Sequence, residues 1–209
     1  MKRTLSDYFE KKSKVKILID KNDTLVTLKR NWLNDQESNL LYLNLLNNLE
    51  WKQEELFIYG RWVKPNRKTV AYGDEGLSYT YSGQTKIALN WTDSLKSLKD
   101  KIEKETQQDY NFVLIQYYPD GKSSIGWHSD DERDLEKDSI IASLSLGQSR
   151  KFMFKSKKDK KEMITTLLNQ GDLLTMEKKC QRDYQHSLPV DHSIIKGRIN
   201  LTFRKMKNK

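Results

Sequence analysis

Two of the three histidines in this 209-residue chain stand in a pattern that can bind a metal ion. His128 and Asp130 are separated by one residue, and His186 follows far along the chain. Residues two apart on a β-strand point to the same side, so His128 and Asp130 can bind one ion together. Two histidines and one carboxylate on one face of an octahedral ion suit Fe(II) and leave positions open for a cosubstrate and oxygen. The spacing therefore predicts an iron site for oxygen chemistry.

A second polar set lies on one face of a strand predicted at 197–204. The segment alternates polar and apolar residues with a two-residue period. Its polar face consists of Arg198, Asn200, Thr202 and Arg204. An arginine here can hold a carboxylate with two hydrogen bonds, as a dicarboxylate cosubstrate requires. Gln116 and Tyr118 share a face of an earlier strand and can donate hydrogen bonds to a bound oxo-acid. The face of 197–204 lines a barrel interior or, alternatively, faces solvent.

The elements that must position these residues are mostly strands. After residue 110, runs rich in β-branched and aromatic residues alternate with polar turns, at 112–118, 125–130, 139–147, 151–155, 163–168, 172–177, 183–188 and 197–204. Such regular short strands indicate an all-β sandwich or barrel. Leucines at helical spacing predict a helix over 37–50. A second helix is predicted over 93–107, with Thr92 or Asp93 as its cap.

The composition favours one intracellular domain with a polyanionic partner. The net charge is +9, which nucleic acid would neutralise, although a lysine-rich surface gives the same charge without a partner. The single cysteine, Cys180, excludes an internal disulfide, and its polar surroundings do not favour a catalytic thiol. No apolar run could cross a membrane, and the start of the chain lacks the apolar core of a secretory signal. We expect a monomer, in the nucleus of a eukaryote or otherwise the cytoplasm.

Residues 1–20 are predicted to form a basic, flexible tail ahead of a domain at 21–209. Within the tail, Lys2, Leu5, Tyr8 and Phe9 resemble the motif by which repair and replication proteins bind the sliding clamp. That motif normally begins with glutamine, where this chain has Lys2. The alternative is a tail with three chance apolar residues.

From about residue 55 to 206 the chain resembles the AlkB-type Fe(II)/2-oxoglutarate dioxygenases, and most of all the animal-type double-stranded-DNA demethylases. The matching blocks lie at 72–83, 111–121, 125–135, 141–147, 186–190 and 198–205. The resemblance implies an α+β fold: a double-stranded β-helix, or jelly roll, over 111–209, with helices on one side and a nucleotide-recognition lid within 21–110. The implied activity is oxidative demethylation of DNA bases such as 1-methyladenine and 3-methylcytosine, with release of formaldehyde.

The resemblance also implies a role for each site residue. The iron ligands would be His128, Asp130 and His186, with O2 at the remaining position. Arg198 would pair with the distal carboxylate of 2-oxoglutarate and Arg204 with its end near the metal. The rest of that pocket would be Gln116, Tyr118, Asn200 and Thr202, where Gln116 replaces the family's usual asparagine. The implied substrate residues are Tyr59, Gly60, Arg61, Tyr79, Thr80, Tyr81, Asp131 and Glu132. Among these, Tyr59 would be the aromatic finger that fills the gap left by an extruded base, and Tyr79 and Tyr81 would stack on that base and line its pocket.

Three alternatives stay open. The same chemistry could act on single-stranded DNA or RNA, since 191–193 reads Asp-His-Ser where the double-strand enzymes have a basic cluster. The chain could instead be a binding module for nucleic acid or the clamp without catalysis, which the triad and the two arginines disfavour. A protein hydroxylase is the third, disfavoured by the base-pocket tyrosines and the positive charge.

Overall fold

Most of the chain folds into antiparallel strands. The computed structural model describes residues 15–53, 55–58, 60–81 and 84–207, and the side chains at 56–58, 80, 81, 84 and 86 lie outside this description. The strands are β1 Val15–Lys21, β2 Thr24–Lys29, β3 Leu56–Ile58, β4 Arg61–Val63, β5 Lys68–Gly73, β6 Ser78–Tyr81, β7 Gln84–Ile87, β8 Leu89–Asn90, β9 Phe112–Tyr118, β10 Ile125–His128, β11 Ile141–Gly147, β12 Arg150–Ser156, β13 Met163–Leu168, β14 Leu173–Lys178, β15 Tyr184–Leu188 and β16 Arg198–Arg204. The helices are α1 Asp35–Asn48, α2 Asp93–Thr106 and the short α3 Cys180–Asp183.

Two sheets form the predicted jelly roll. The large sheet has the order β1-β2-β14-β11-β16-β9-β5-β8, and the small sheet has the order β10-β15-β12-β13. The pairing is antiparallel throughout both sheets except between β5 and β8. An apolar cluster joins Val26 and Leu28 of the large sheet to Phe154 and Leu188 of the small one. The two sheets thus enclose a core, and the iron and cosubstrate residues lie on strands of both.

Both long helices pack against one side of the large sheet, as predicted. Leu45 of α1 and Leu98 and Ile102 of α2 share an apolar cluster with Ile115 and Leu201. The α1 start is a capping box in which the Asn34 side chain accepts from the Glu37 amide. At α2 the Thr92 side chain accepts from the Leu95 amide, so the predicted cap is confirmed. This layer fixes the large sheet from behind.

Strand β16 is buried on both faces. Ile199, Leu201 and Phe203 belong to the cluster beneath the helices. The alternate residues, Arg198, Asn200, Thr202 and Arg204, are also buried, at 2 to 7% exposure. The polar face therefore lines the jelly-roll interior, and the solvent-facing alternative is wrong.

The predicted boundary of the tail at residue 20 is wrong. Residues 15–20 belong to β1, which pairs with β2 and extends the large sheet beyond β14. The turn between β1 and β2 is Asn22-Asp23, both at positive φ, a two-residue hairpin turn that favours such residues. Along β2 every second residue is buried, as in a strand with one face on the core.

Two small hairpins occupy the region predicted to contain the lid. In β3–β4 the register pairs Ile58 with Arg61. Gly60 has φ 78°, a left-handed conformation that a tight hairpin turn requires. The second hairpin is β6–β7. No helix in the described ranges is both long and apolar enough to cross a bilayer.

Candidate active site

The predicted iron ligands converge inside the jelly roll. His128 at the end of β10 pairs directly with His186 on β15, and their ring centroids lie 4.3 Å apart. Asp130 follows β10, and its Oδ1 lies 3.7 Å from His128 Nε2 and 4.0 Å from His186 Nε2. One ligand atom from each residue lies within 4.8 Å of the other two, a spacing that one ion can bridge. The donor set of two imidazoles and a carboxylate fits Fe(II).

The surroundings hold these ligands in the protonation states that a metal needs. His128 Nδ1 lies 2.9 Å from the Gly126 carbonyl, which favours a proton on Nδ1 and leaves Nε2 free. Burial, with His128 nearby, lowers the pKa of His186 to about 3, so its ring is neutral at neutral pH. Burial alone would raise the pKa of Asp130, but the Arg204 guanidinium and the two neighbouring histidines together outweigh it, and the pKa falls to about 2. No proton competes with a metal at Asp130 or His186.

Acid is expected to destabilise the metal-free protein between about pH 6.5 and 3. In the unfolded chain His186 takes up a proton near its ordinary pKa of 6.5, whereas the folded side chain resists until about 3. The unfolded state then binds more protons, so stability falls as pH falls. Asp130 adds a further loss below its ordinary pKa of 3.8. Urea unfolding of the wild type and of His186→Asn tests this pH dependence, and the variant should lose less stability than the wild type between pH 6.5 and 4. The control variant His192→Asn should follow the wild type. Parallel stability curves for the wild type and His186→Asn would contradict the role of His186.

Two residues that sequence reasoning missed in this role hold Asp130 in place. Arg204 Nη2 donates to Asp130 Oδ1 at 2.9 Å, so the arginine predicted to bind the cosubstrate also orients a metal ligand. Gln181 Oε1 in α3 accepts from the Asp130 amide at 2.9 Å. Lys157 in turn donates to the Gln181 carbonyl at 2.8 Å. No spacing rule connects Gln181 to Asp130, because the contact depends on how α3 folds back.

Replacing Gln181 by alanine is expected to weaken iron binding by about 10- to 100-fold, the usual loss when an outer partner of a ligand is removed. The amide of Asp130 would lose the Gln181 acceptor, and only Arg204 would then hold the carboxylate in position. Metal titration under nitrogen measures the affinity. Gln185→Ala is the matched control, since Gln185 precedes the ligand His186 on β15 but points to the opposite face. Equal affinities for both variants would contradict the role of Gln181.

A cavity next to the triad is lined by every residue predicted to bind the cosubstrate. Its lining includes Gln116, Tyr118, Arg198, Asn200, Thr202 and Arg204 together with the three iron ligands. Five residues that the sequence did not single out complete the wall: Ile125, Ser143, Phe152, Met176 and Leu188. The register explains the grouping: β16 pairs Arg198 with Tyr118 and Asn200 with Gln116. The structure thus brings the whole predicted set together.

Arg198 is a buried cation without a carboxylate partner in the described part of the chain. It is 2% exposed, and burial lowers its pKa to about 10. Its Nη2 donates to Ser145 Oγ at 2.9 Å and to Asn200 Oδ1 at 2.7 Å, while its Nε has no partner among the described residues. A buried positive charge without a counter-charge costs free energy, and a bound anion removes that cost by pairing with it. A ligand carboxylate would supply that partner, so the pocket fits 2-oxoglutarate.

A family model described as the 2OG-Fe(II) oxygenase superfamily matches residues 25–204. The chain belongs to this superfamily. Oxygenases of this family use Fe(II), 2-oxoglutarate and O2, the set for which the triad and Arg198 are suited. The similarity to curated AlkB homologues described next confirms the AlkB-type resemblance.

Curated relatives of this oxygenase include bovine "DNA oxidative demethylase ALKBH2", 40% identical over 156 residues, which cover 71% of this chain and 56% of that protein. Human "Alpha-ketoglutarate-dependent dioxygenase alkB homolog 3" is 34% identical over 188 residues, covering 86% of this chain and 65% of that protein. The chain thus spans 56 to 65% of the length of these relatives. The solved structure of OsALKBH1 has a TM-score of 0.63 at 15% identity, covers 91% of this chain and 100% of that one, and shows the shared fold.

A cleft of about 670 Å³ opens beside the oxygenase triad. Asp130 lines both this cleft and the cosubstrate cavity, so the two spaces meet at the iron site. Asp131 and Glu132, both predicted substrate residues, also line the cleft. Asp131 lies at its edge, with a 62% exposed side chain that pairs with Lys157 at 3.5 Å. Glu132 is more enclosed, and burial raises its pKa.

Tyr79 is placed differently from the prediction. Its hydroxyl donates to Glu132 Oε1, and the Arg204 guanidinium lies 5.0 Å from its ring centroid. Phe112 packs at 5.5 Å, and the side chain is 1% exposed. No ring face is open to a base in this arrangement, so Tyr79 supports Glu132 and Arg204. The predicted stacking role of Tyr79 has no support here.

The remaining predicted substrate residues lie on the hairpins. Gly60 is exposed in the turn before β4, and Arg61 is exposed as the first residue of β4. Tyr59 lies outside the described residues, as do the side chains of Thr80 and Tyr81. Their contacts with a base stay predictions.

Cys180 takes no part in the chemistry. It is 1% exposed, and burial raises its pKa to about 12, so a thiolate does not form at neutral pH. The interpretation that it is not a catalytic nucleophile agrees with this environment.

Proposed function

We propose that this chain is an Fe(II)/2-oxoglutarate-dependent DNA demethylase that repairs alkylated bases by direct reversal. The observation that carries the proposal is the meeting of two spaces at Asp130: a cosubstrate cavity with an unpaired Arg198, and a wide cleft whose lining includes the predicted substrate residues Asp131 and Glu132. The similarity to proteins named DNA oxidative demethylase ALKBH2 supports DNA as the substrate. The net charge of +9 agrees with a polyanionic partner.

The residues of the cavity would bind and orient the cosubstrate. Arg198 offers its free Nε to a distal carboxylate, and Tyr118 stacks below it, with 5.5 Å between the guanidinium carbon and the ring centroid. The Arg198 side chain cannot turn away, because Ser145 and Asn200 hold its Nη2. At the other end, Arg204 keeps Nε and Nη1 unpartnered among the described residues, although Asp130 occupies Nη2. The cosubstrate would thus lie between two fixed cations.

Bound iron with 2-oxoglutarate would supply the oxidant that hydroxylates an N-methyl group. The hydroxymethyl product then breaks down to formaldehyde and the repaired base. The part of this chain is to place the methyl group near the triad and to exclude water. The phenyl rings of Phe152 and Phe154 shield His186 at centroid distances of 5.5 and 6.2 Å, which keeps that side of the iron site dry.

Glu132 is the residue best placed to recognise the base. Its Oε2 is buried and has no partner among the described residues, while the Tyr79 hydroxyl fixes Oε1. An unpartnered acceptor at a cleft wall suits the exocyclic amine of adenine or cytosine. Bases methylated at the Watson–Crick edge are cationic and pair poorly, so the Glu132 carboxyl group can attract them and their extrusion costs less.

The substrate is tested by supplying 3-methylcytosine in DNA as single strand and duplex and in RNA of the same sequence. The rate of succinate formation above an unmethylated oligomer measures coupling to each substrate. The proposal expects methyl-dependent succinate with DNA. Dependence on RNA alone would reassign the substrate, and succinate formation without any methyl dependence would remove base demethylation.

Three finer assignments belong to the same proposal. Tyr59, which lies between β3 and β4 in the sequence, would fill the gap left by the extruded base. Lys2, Leu5, Tyr8 and Phe9 lie outside the described residues, and their binding to a sliding clamp stays a prediction that a pull-down with the clamp can test. Repair of genomic DNA by a monomer would take place in the nucleus of a eukaryote or otherwise in the cytoplasm.

A further inference from the structure

The outer face of the small sheet carries an exposed tryptophan and unpaired lysines. On β12 the inward residues Phe152 and Phe154 belong to the core, and their neighbours point outward. The residues on this outer side are Trp127 from β10, Lys151, Met153 and Lys155 from β12, and Met163, Thr165 and Leu167 from β13. We call this surface the Trp127 face. Trp127, Met163 and Leu167 are 37, 48 and 49% exposed, which is unusual for large apolar side chains.

Two strands contribute to the centre of this face. Lys155 Nζ lies 5.4 Å from the Trp127 ring centroid, although β15 separates their strands. Lys155 is paired with Gln185 of β15 in the sheet register, so its side chain crosses that strand to reach the ring. An aromatic ring and a cation are thus presented together on an open surface.

The lysines of the Trp127 face are available to a ligand. Across the described ranges, neither Lys151 nor Lys155 forms an ion pair with a carboxylate. Lys157 and Lys158, at the end of the same strand, differ because they pair with Asp131 and Asp183. Lys155 thus offers its positive charge beside Trp127, and Lys151 lies on the same outer side of β12.

This combination fits one class of partner. Single-stranded nucleic acid is bound by aromatic rings that stack on bases and by cations that follow the phosphates. A duplex offers phosphates but no free base face. Trp127 directly precedes the iron ligand His128, so a strand that enters the cleft at the iron site can continue over the edge of β10. An apolar protein partner would leave Lys151 and Lys155 without a counter-charge.

We propose that the Trp127 face binds an unpaired stretch of the DNA strand that carries the target base. One base stacks on Trp127, and the adjoining phosphates contact Lys151 and Lys155. The inference rests on the proposed function, since it extends the path of the same substrate strand.

The test measures binding of an unmethylated single-stranded oligomer of about 12 nucleotides, within the range of site sizes for such surfaces, by fluorescence anisotropy with the full chain. Trp127→Ala is expected to weaken binding at least about fivefold, the lower end for one stacked base, and Trp127→Phe should restore part of it. The double variant Lys151→Ala with Lys155→Ala should lower the slope of log affinity against log salt by about 1.4, or about 0.7 for each lost phosphate contact. Lys96→Ala on α2, an exposed lysine on the helical side, should change the affinity little.

Unchanged affinity in Trp127→Ala together with an unchanged salt slope in the double lysine variant would overturn the proposal. Equal losses on single strand and blunt duplex would overturn the assignment to an unpaired strand. All variants are compared as iron-free protein, so that an effect of Trp127→Ala on the neighbouring iron ligand His128 does not enter the comparison. Because binding is measured without iron or methylation, a wild type that binds but never demethylates contradicts the proposed function and leaves this inference standing.

Discussion

Replacing His128 by alanine is expected to abolish 2-oxoglutarate-dependent demethylation. The three ligand atoms lie within 4.8 Å of one another, and removing one leaves a two-ligand site that holds iron weakly. The loss should exceed the 10- to 100-fold effects typical of outer partners of a metal ligand. Turnover of a methylated oligomer and the metal content of the purified protein measure the two consequences.

The chain offers a natural control for this substitution. His192 is the third histidine, and it is exposed in the loop after β15. His192→Ala should retain both iron and turnover. The His128 side chain is only partly buried, with 17% exposure, so the fold should survive its truncation. Full turnover in a His128→Ala sample freed of contaminating enzyme would remove the triad from the mechanism.

Replacing Arg198 by lysine is expected to raise the KM for 2-oxoglutarate by at least about tenfold, since it removes a charged hydrogen bond worth about 1.5–3 kcal/mol. Lysine keeps a charge but loses the planar fork that can grip a carboxylate with two bonds. A second measurement does not need turnover. 2-Oxoglutarate at a hundredfold excess over its wild-type Kd should stabilise the wild type by about 2.7 kcal/mol, and at the same concentration a tenfold weaker variant should gain only about 1.4 kcal/mol.

Arg150 provides the contrast. It is also buried, but it donates to the carbonyls of Asp120, Ser123 and Pro189, so it holds the loops around β10. Arg150→Lys should lower the free energy of unfolding while leaving the KM for 2-oxoglutarate nearly unchanged. If both variants raise the KM equally, Arg198 has no special role in holding the cosubstrate.

The features that the sequence revealed are those with local periodicity. The alternation along 198–204 identified one inward polar face, and the structure confirms both its residues and its burial. The leucine spacing of 93–107 predicted α2 nearly to its ends. His128 and Asp130 needed only the two-residue period of a strand. Such patterns survive folding because the backbone repeat alone decides which side chains share a face.

The features that escaped depend on contacts between distant segments. Ser145 supports Arg198 because β11 pairs with β16 in one register, which no local pattern states. Gln181 reaches the Asp130 amide because α3 folds back after β14. Tyr79 was expected to stack on a base, but β6 places it against Phe112 within a small apolar cluster. In each case tertiary packing decides the role of the side chain.

The most direct test of the central claim is the mass of a 3-methylcytosine DNA oligomer after incubation with the protein. The protein is loaded with Fe(II) and 2-oxoglutarate under nitrogen and then exposed to air, with parallel samples that omit one cofactor or use His128→Ala. We expect the loss of one methyl group and the release of formaldehyde only in the complete wild-type sample. An unchanged oligomer mass in that sample, with iron and 2-oxoglutarate bound, would contradict the assignment as a DNA demethylase.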